Sequence, residues 1–395
     1  MGTRGRRASK EERLEVSDLG PIERVVLKPR ELTVIAGEQA TGKSLVAQLL
    51  YFFRGLEGHL ANRFKPDLRK QKAWKAELVR GLLDDLRGVS FGYFANQKAR
   101  IAYRPKGVES DLTLSVYQAN RRISPGRMLG RKMESWTSDW ERSPAKLSKP
   151  TRPQIFVPTE RSLFTRFIQQ QPKILFSDYQ PLPVREFANT LQTALDRYAE
   201  SPAAGRRLRK LQRAALRGAA YVPKRGRRIW KWKTSNGDGK SAKILPIEAV
   251  ASGQMEAWPF FAVAEAYLDR GIEADYYLEE PETHLHPVAQ VKIMDAIALL
   301  IDSGNRVVLT THSPYMLYRL NNLIQRHLNR GAGTYKQDSA LAISPDRVSA
   351  YCLGDRRRDI MDRDGTGLVD AEELERVADD LGGEFEKLLD EGQPR

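Results

Sequence analysis

The chain has 395 residues, 41% of them apolar and 8% aromatic, a balance that supports a packed core and excludes overall disorder. Its 65 Lys and Arg against 50 Asp and Glu leave a formal charge of +15, which favours an anionic partner such as nucleic acid or an acidic protein. The single cysteine, Cys352, excludes an internal disulfide, and no window nears the ~18 consecutive apolar residues of a spanning helix.

Residues 1–17 are basic and polar, lack the apolar stretch of a secretory signal, and are expected as a flexible tail on a cytoplasmic protein. Val25 to Leu27 and Leu32 to Ala36 read as strands, the second continuous enough for a buried sheet. Lys43 to Arg54 carries apolar residues at Leu45, Val46, Leu49, Leu50 and Phe53, the spacing of an amphipathic helix. A charged helix is expected over 73–87, then strands at 90–95, 100–103 and 112–117. The basic, Ser- and Pro-rich stretch 120–150 reads as an exposed loop.

Ile155 to Val157 returns as a buried strand, and helices are expected near 184–200 and 205–218. Ile229–Trp232 and Lys243–Ile247 read as short strands, with Asn236-Gly237-Asp238-Gly239 as their hairpin turn. From Ser252 onward helix and strand alternate, the pattern of parallel α/β units.

Gly37-Glu38-Gln39-Ala40-Thr41-Gly42-Lys43-Ser44 fits G-x-x-x-x-G-K-[ST], between the buried strand and the amphipathic helix. The glycines let backbone N–H groups curl around phosphate oxygens, and the helix start adds partial positive charge. Lys43 then reaches the outer phosphates and the Ser44 hydroxyl enters a Mg²⁺ shell, which makes ATP and Mg²⁺ the expected ligands.

The apolar run Ala274 to Leu278 ends in Glu279-Glu280-Pro281-Glu282. One carboxylate there can hold Mg²⁺ and its neighbour can polarise the attacking water, so Glu279 is assigned to the metal and Glu280 to the water. Val307 to Thr311 is another buried-type strand, followed by His312, which can hydrogen-bond a γ-phosphate. His284 and His286 imitate metal ligands, but no further His or Cys lies nearby in sequence.

Ala251-Ser252-Gly253-Gln254-Met255-Glu256 opens an apolar helix. These four segments in this order resemble the ABC-type ATPases, and Glu-Glu-Pro-Glu, His-Leu-His-Pro and Thr-His-Ser-Pro look like the prokaryotic branch with OLD, RecF and SMC-like heads. Val157 to Ser162 and Asp18 to Ile22 look like that branch too.

The resemblance implies an α/β P-loop NTPase head with a mixed central sheet, over residues 18–335. It also implies an inserted α+β lobe near 55–150, a helical lobe near 165–225 and a C-terminal strand-turn-helix extension at 336–395. Two such heads would pair, the phosphate loop of one facing Ser252, Gly253 and Gln254 of the other across ATP. Ala251 stands where the family usually has a serine, and Glu279 where many members carry aspartate. Glu160 and Arg161 are the candidates for the position that couples nucleotide to the inserted lobe.

The stretch after His312 is too short for the nuclease domain of OLD-like enzymes. Asp362, Asp364, Thr366, Gly367, Val369, Asp370 and Glu373 imitate a calcium loop, although no good entering helix precedes them and a structural turn fits better. The leading expectation is therefore an ATPase that acts as a dimerising switch or motor, as a dimer or higher oligomer, in DNA maintenance or anti-phage defence, with a separately encoded nuclease or toxin as effector and DNA as a possible ligand. A RecF-like repair ATPase is the second reading and a transporter subunit the third. The basic surface is expected from Arg127, Arg131, Lys132, Arg206, Arg207, Arg209 and Lys210.

Overall fold

The computed structural model describes residues 11–64, 73–86, 95–117, 122–143, 152–167, 182–196, 206–217, 220–224, 227–233, 242–246, 250–331, 341–354, 358–363 and 365–391. Strands β1 (Arg13–Leu19) and β2 (Ile22–Leu27) form an antiparallel hairpin that turns through Gly20, at φ 60°. Leu14 and Val16 alternate inward and are buried, and Leu19 is buried beyond a register shift after Ser17, so residues 13–17 belong to a sheet. That corrects the expected tail to residue 17; residues 1–10 lie outside the described residues.

β3 (Leu32–Ala36) is buried along its whole length and runs through the phosphate loop into α1 (Lys43–Arg63). α2 (Trp74–Leu86), β4 (Ala95–Arg104), β5 (Leu112–Tyr117), β6 (Arg122–Pro125) and α3 (Arg127–Arg142) follow. The last two replace the described part of the loop expected over 120–150, of which residues 120–121 and 144–150 lie outside the described residues. In α3 the buried Leu129, Met133, Thr137 and Trp140 recur at helical spacing and supply the driving force. β4 pairs with β1, giving one antiparallel sheet in the order β2-β1-β4-β5-β6. The lobe expected as an insert is thus built jointly with the N-terminal hairpin.

β7 (Gln154–Val157), α4 (Arg161–Phe167), α5 (Leu182–Asp196) and α6 (Arg206–Ala215) come next. A small antiparallel sheet of β8 (Ala220–Lys224), β9 (Arg227–Lys233) and β10 (Ala242–Pro246) follows, with the expected turn at 236–239 outside the described residues. The remaining elements are α7 (Ser252–Leu268), β11 (Asp275–Glu279), α8 (Pro287–Asp302), β12 (Arg306–Thr311), α9 (Pro314–Gly331), β13 (Val348–Cys352), β14 (Arg358–Asp359) and α10 (Glu372–Glu391).

The central sheet runs β14-β13-β3-β12-β11-β7, parallel except for β14. β13 pairs directly with β3, so residues expected as an extension complete this sheet instead. Both faces are covered. Ile35, Phe156, Tyr277, Val308 and Tyr351 pack into the core that holds α1 and the antiparallel sheet. Val34, Ile155, Tyr276, Leu278, Val307 and Leu309 pack into the core that holds α7, α8 and α9. Burial on both faces explains why these strands read as unbroken apolar runs.

Candidate nucleotide site

The phosphate loop leaves the carboxyl end of β3, the edge where open α/β sheets bind ligands. Gly37 sits at φ 134°, and a Cβ there would lie 2.0 Å from the Leu353 carbonyl oxygen. Gly42 sits at φ 96°, where a Cβ would meet the Ile22 side chain at 2.7 Å. Ala40 adopts φ 61° without being glycine, so the loop carries backbone strain of about 1–3 kcal/mol. Lys43 is buried and donates to the Glu38 carbonyl at 2.6 Å, and Thr41 Oγ1 donates to the same oxygen at 2.9 Å. Burial lowers the Lys43 pKa, which Glu280 and Glu282 oppose.

β3, β12 and β11 are neighbours, so their ends meet at one place. Glu279, buried at the end of β11, accepts hydrogen bonds from Ser44 and, at 3.4 Å, from Gln48 Nε2. Burial and the nearby Glu160 carboxylate push its pKa up to about 7 against the restraint of those donors. Glu280 is held at φ 40°, with its N–H donating to Thr310 O at 3.1 Å. His312 Nε2 stands 3.0 Å from Glu280 Oε1, and this contact keeps the Glu280 pKa below the usual range. The structure therefore gathers Lys43, Ser44, Glu279, Glu280 and His312 at one edge of the sheet.

Glu282 was not anticipated. Its Oε1 accepts from Thr311 Oγ1 at 2.6 Å and from the His312 N–H at 2.7 Å, which fixes the backbone behind His312. The sequence signal was a third acid in the Glu-Glu-Pro-Glu run. Arg161, a candidate with Glu160 for the position that couples nucleotide to the inserted lobe, is buried beneath the same strand ends.

Ser252 is exposed at the start of α7. A Cβ on Gly253 would lie 2.5 Å from the His284 carbonyl, so glycine lets α7 approach that loop. Gln254 turns into its own chain, accepting from Ala251 N at 3.3 Å and donating to Leu216 O at 2.9 Å. His286 Nδ1 accepts from Val288 N at 3.3 Å and caps α8, which accounts for that histidine without a metal. Asp362 folds onto Thr366 through Thr366 N at 2.7 Å and Oγ1 at 2.8 Å, closed by a Met361–Val369 bridge. β13 and β14, not a helix, precede that turn; Asp364 and the side chain of Glu373 lie outside the described residues.

The donor set fits a hydrated divalent cation, since Ser44 Oγ and a carboxylate whose burial makes it costly to ionise alone stand together. A glycine-cradled loop on the central strand, paired acids one strand removed and a histidine on the strand between define an ABC-type P-loop ATPase head. Residues 32–317 match the family described as "AAA domain, putative AbiEii toxin, Type IV TA system", and the chain belongs to it. No curated protein matches the chain. Among solved structures it is similar to an SMC head bound to the C-winged helix domain of ScpA, at 15% identity and TM-score 0.43 over 78% of this chain and 90% of that one. The SMC head domain from Thermotoga maritima matches at 8% identity and TM-score 0.36, over 78% and 92%. An SMC head with an extended coiled coil, bound to the C-terminal domain of ScpA derived from Pyrococcus furiosus, matches at 12% and 0.43, over 95% and 100%.

Proposed function

We propose that this chain hydrolyses ATP with Mg²⁺ between two paired heads, as a switch in anti-phage defence or DNA maintenance that acts on a separately encoded effector. The observation that carries the reading is the convergence of Ser44 on Glu279 and of His312 on Glu280 at the mouth of the phosphate loop. Bound Mg²⁺ would neutralise phosphate charge, and Ser44 and Glu279 are the residues that would hold it. Residues Gly37 to Ser44 cradle the triphosphate through N–H groups, with Lys43 released from Glu38 O to meet the outer phosphates. Glu280 accepts the proton of the attacking water, and His312 orients that carboxylate and senses the γ-phosphate. Ser252 and Gly253 of a second copy complete the site. The toxin–antitoxin wording of the family name supports a defence setting with a protein partner.

A RecF-like role on DNA is favoured by one further observation: α6 exposes Arg206, Arg207, Lys210 and Arg213 together. Among the described residues no helix is long and apolar enough to cross a membrane. Lys43→Ala is expected to abolish ATP binding in a titration with a fluorescent analogue; retained binding counts against the assigned loop. Glu280→Gln is expected to slow turnover on the order of 10²–10⁴-fold while ATP still binds and drives self-association. Turnover at the parent rate removes Glu280 as the base.

A further inference from the structure

Arg161 opens α4 where the chain leaves β7, and only 1% of it is exposed. Its donors are spent almost entirely on main-chain carbonyls. Nη1 reaches Pro158 O at 3.0 Å and Glu279 O at 2.9 Å, Nη2 reaches Glu280 O at 2.9 Å, and Nε reaches Glu256 O at 2.8 Å. The nearest carboxylate atom, Glu256 Oε2, stands at 3.7 Å and makes no hydrogen bond of its own among the described residues. One planar fork thus ties the ends of β7 and β11 to the first turns of α7.

Burying a guanidinium whose ion-pair partner stands 3.7 Å away without a hydrogen bond is costly, and an apolar side chain of similar volume would pack at least as well. The surrounding Glu256, Glu282, Glu279 and Glu280 offset part of that cost by their charge. Lysine would supply the same charge from a single point. What arginine alone supplies is the fixed spacing of five donors across several acceptors.

The tie ends where geometry is most demanding. Glu280 holds φ 40°, a region few non-glycine residues occupy, with its N–H on Thr310 and its carbonyl on Arg161. At the other end, Glu256 lies one helical turn beyond Ser252, and Gly253 already bears on the His284 carbonyl. A small shift of α7 along its axis must therefore either break the Nε–Glu256 bond or move the carbonyls of Glu279 and Glu280.

We propose that Arg161 is a positioning residue through which the start of α7 sets the backbone of Glu279 and Glu280. A nucleotide of a second head that engages Ser252 and Gly253 thereby adjusts the water-activating carboxylate of this head. The inference rests on the ATPase reading and adds a route by which one site informs the other.

The test compares the full-length parent with Arg161→Lys, which keeps the charge but cannot span four carbonyls. ATP dissociation constants, turnover and thermal midpoints are measured together, and ATP-driven self-association is followed by sedimentation in a Glu280→Gln background. Expected for Arg161→Lys are ATP affinity and self-association close to the parent, with turnover reduced on the order of 10²-fold, the scale of a misplaced catalytic group. Parental turnover in Arg161→Lys overturns the inference, and so does a joint loss of affinity, turnover and thermal midpoint, which marks a merely structural arginine. Arg161→Met is expected to act in the same direction; should it fail to fold, Arg161→Lys decides alone. A parent without turnover sinks the ATPase reading and the inference with it, whereas normal turnover in both proteins sinks the inference only.

Discussion

Gly37 and Glu279 show how single residues carry this site. At Gly37 two requirements coincide, a φ of 134° and a Leu353 carbonyl where a Cβ would stand. Gly37→Ala must move backbone, not a flexible side-chain end, so it is expected to lose ATP binding and to lower stability by roughly 1–3 kcal/mol. Chemical denaturation and an ATP titration check both; an alanine variant that binds like the parent contradicts the cradle geometry. Glu279 links the site to pH. Its folded pKa, raised from 4.5 to about 7, means that ionisation is penalised in the folded state. The stability it contributes is full below pH 4.5 and is lost as pH climbs through about 7. In nucleotide- and metal-free protein, the thermal midpoint relative to Glu279→Gln is therefore expected to fall across that window. Parallel pH curves for the two proteins count against the raised pKa. Of these residues the phosphate loop stood out by its spacing, and Glu279, Glu280 and His312 as polar ends of apolar strands read beside it. Glu282 and the depth of Arg161 were not, because a third acid and a lone arginine look like solvated charges until three strands bring them together.

At the scale of elements, register does the aligning. Glu279 pairs with Thr310 and Leu278 with Val157, so the polar ends of β7, β11 and β12 share one level. A slip of one residue would turn Glu279 out of the site and Tyr277 into the opposite core. Tyr277 is fully buried, stacks on Phe156 at 6.1 Å, meets Tyr51 edge-on at 5.3 Å and donates to Gln154 Oε1 at 2.6 Å. Tyr277→Ala is expected to cost roughly 3–5 kcal/mol by the cavity it leaves. A cost under about 1 kcal/mol in a denaturant titration would mean that the strand is not packed in this way. The central strands were readable because burial on both faces leaves no polar interruptions. α3 was misread because its basic and Ser-rich composition masked the Leu129, Met133, Thr137, Trp140 spacing. β1 was missed for a similar reason, since its inward Leu14 and Val16 alternate with charged neighbours.

Across the whole molecule, charge is unevenly spread. α10 is rich in Asp and Glu and places Arg376 3.3 Å from Glu38 of the phosphate loop, while α6 presents Arg206, Arg207, Lys210 and Arg213 to solvent. Arg209, expected to join that basic surface, is instead engaged by Glu265 and, at 3.1 Å, by Asp269. If α6 neutralises DNA phosphates, the logarithm of affinity is expected to fall linearly with that of salt. Replacing Arg206 and Lys210 by Ala should flatten the slope by roughly 2. An unaltered slope assigns the basic face to something other than DNA.

β3 lies between β12 and β13, and both flanking strands come from late in the chain. During synthesis the loop bearing Lys43 emerges with its strand bare on either hydrogen-bonding edge, and stays so until residues 306–352 have been made. The wall that Leu353 sets against Gly37 arrives after both of those strands. A nascent chain thus has its most recognisable sequence motif early and the finished walls of its phosphate loop only once residue 353 has been made.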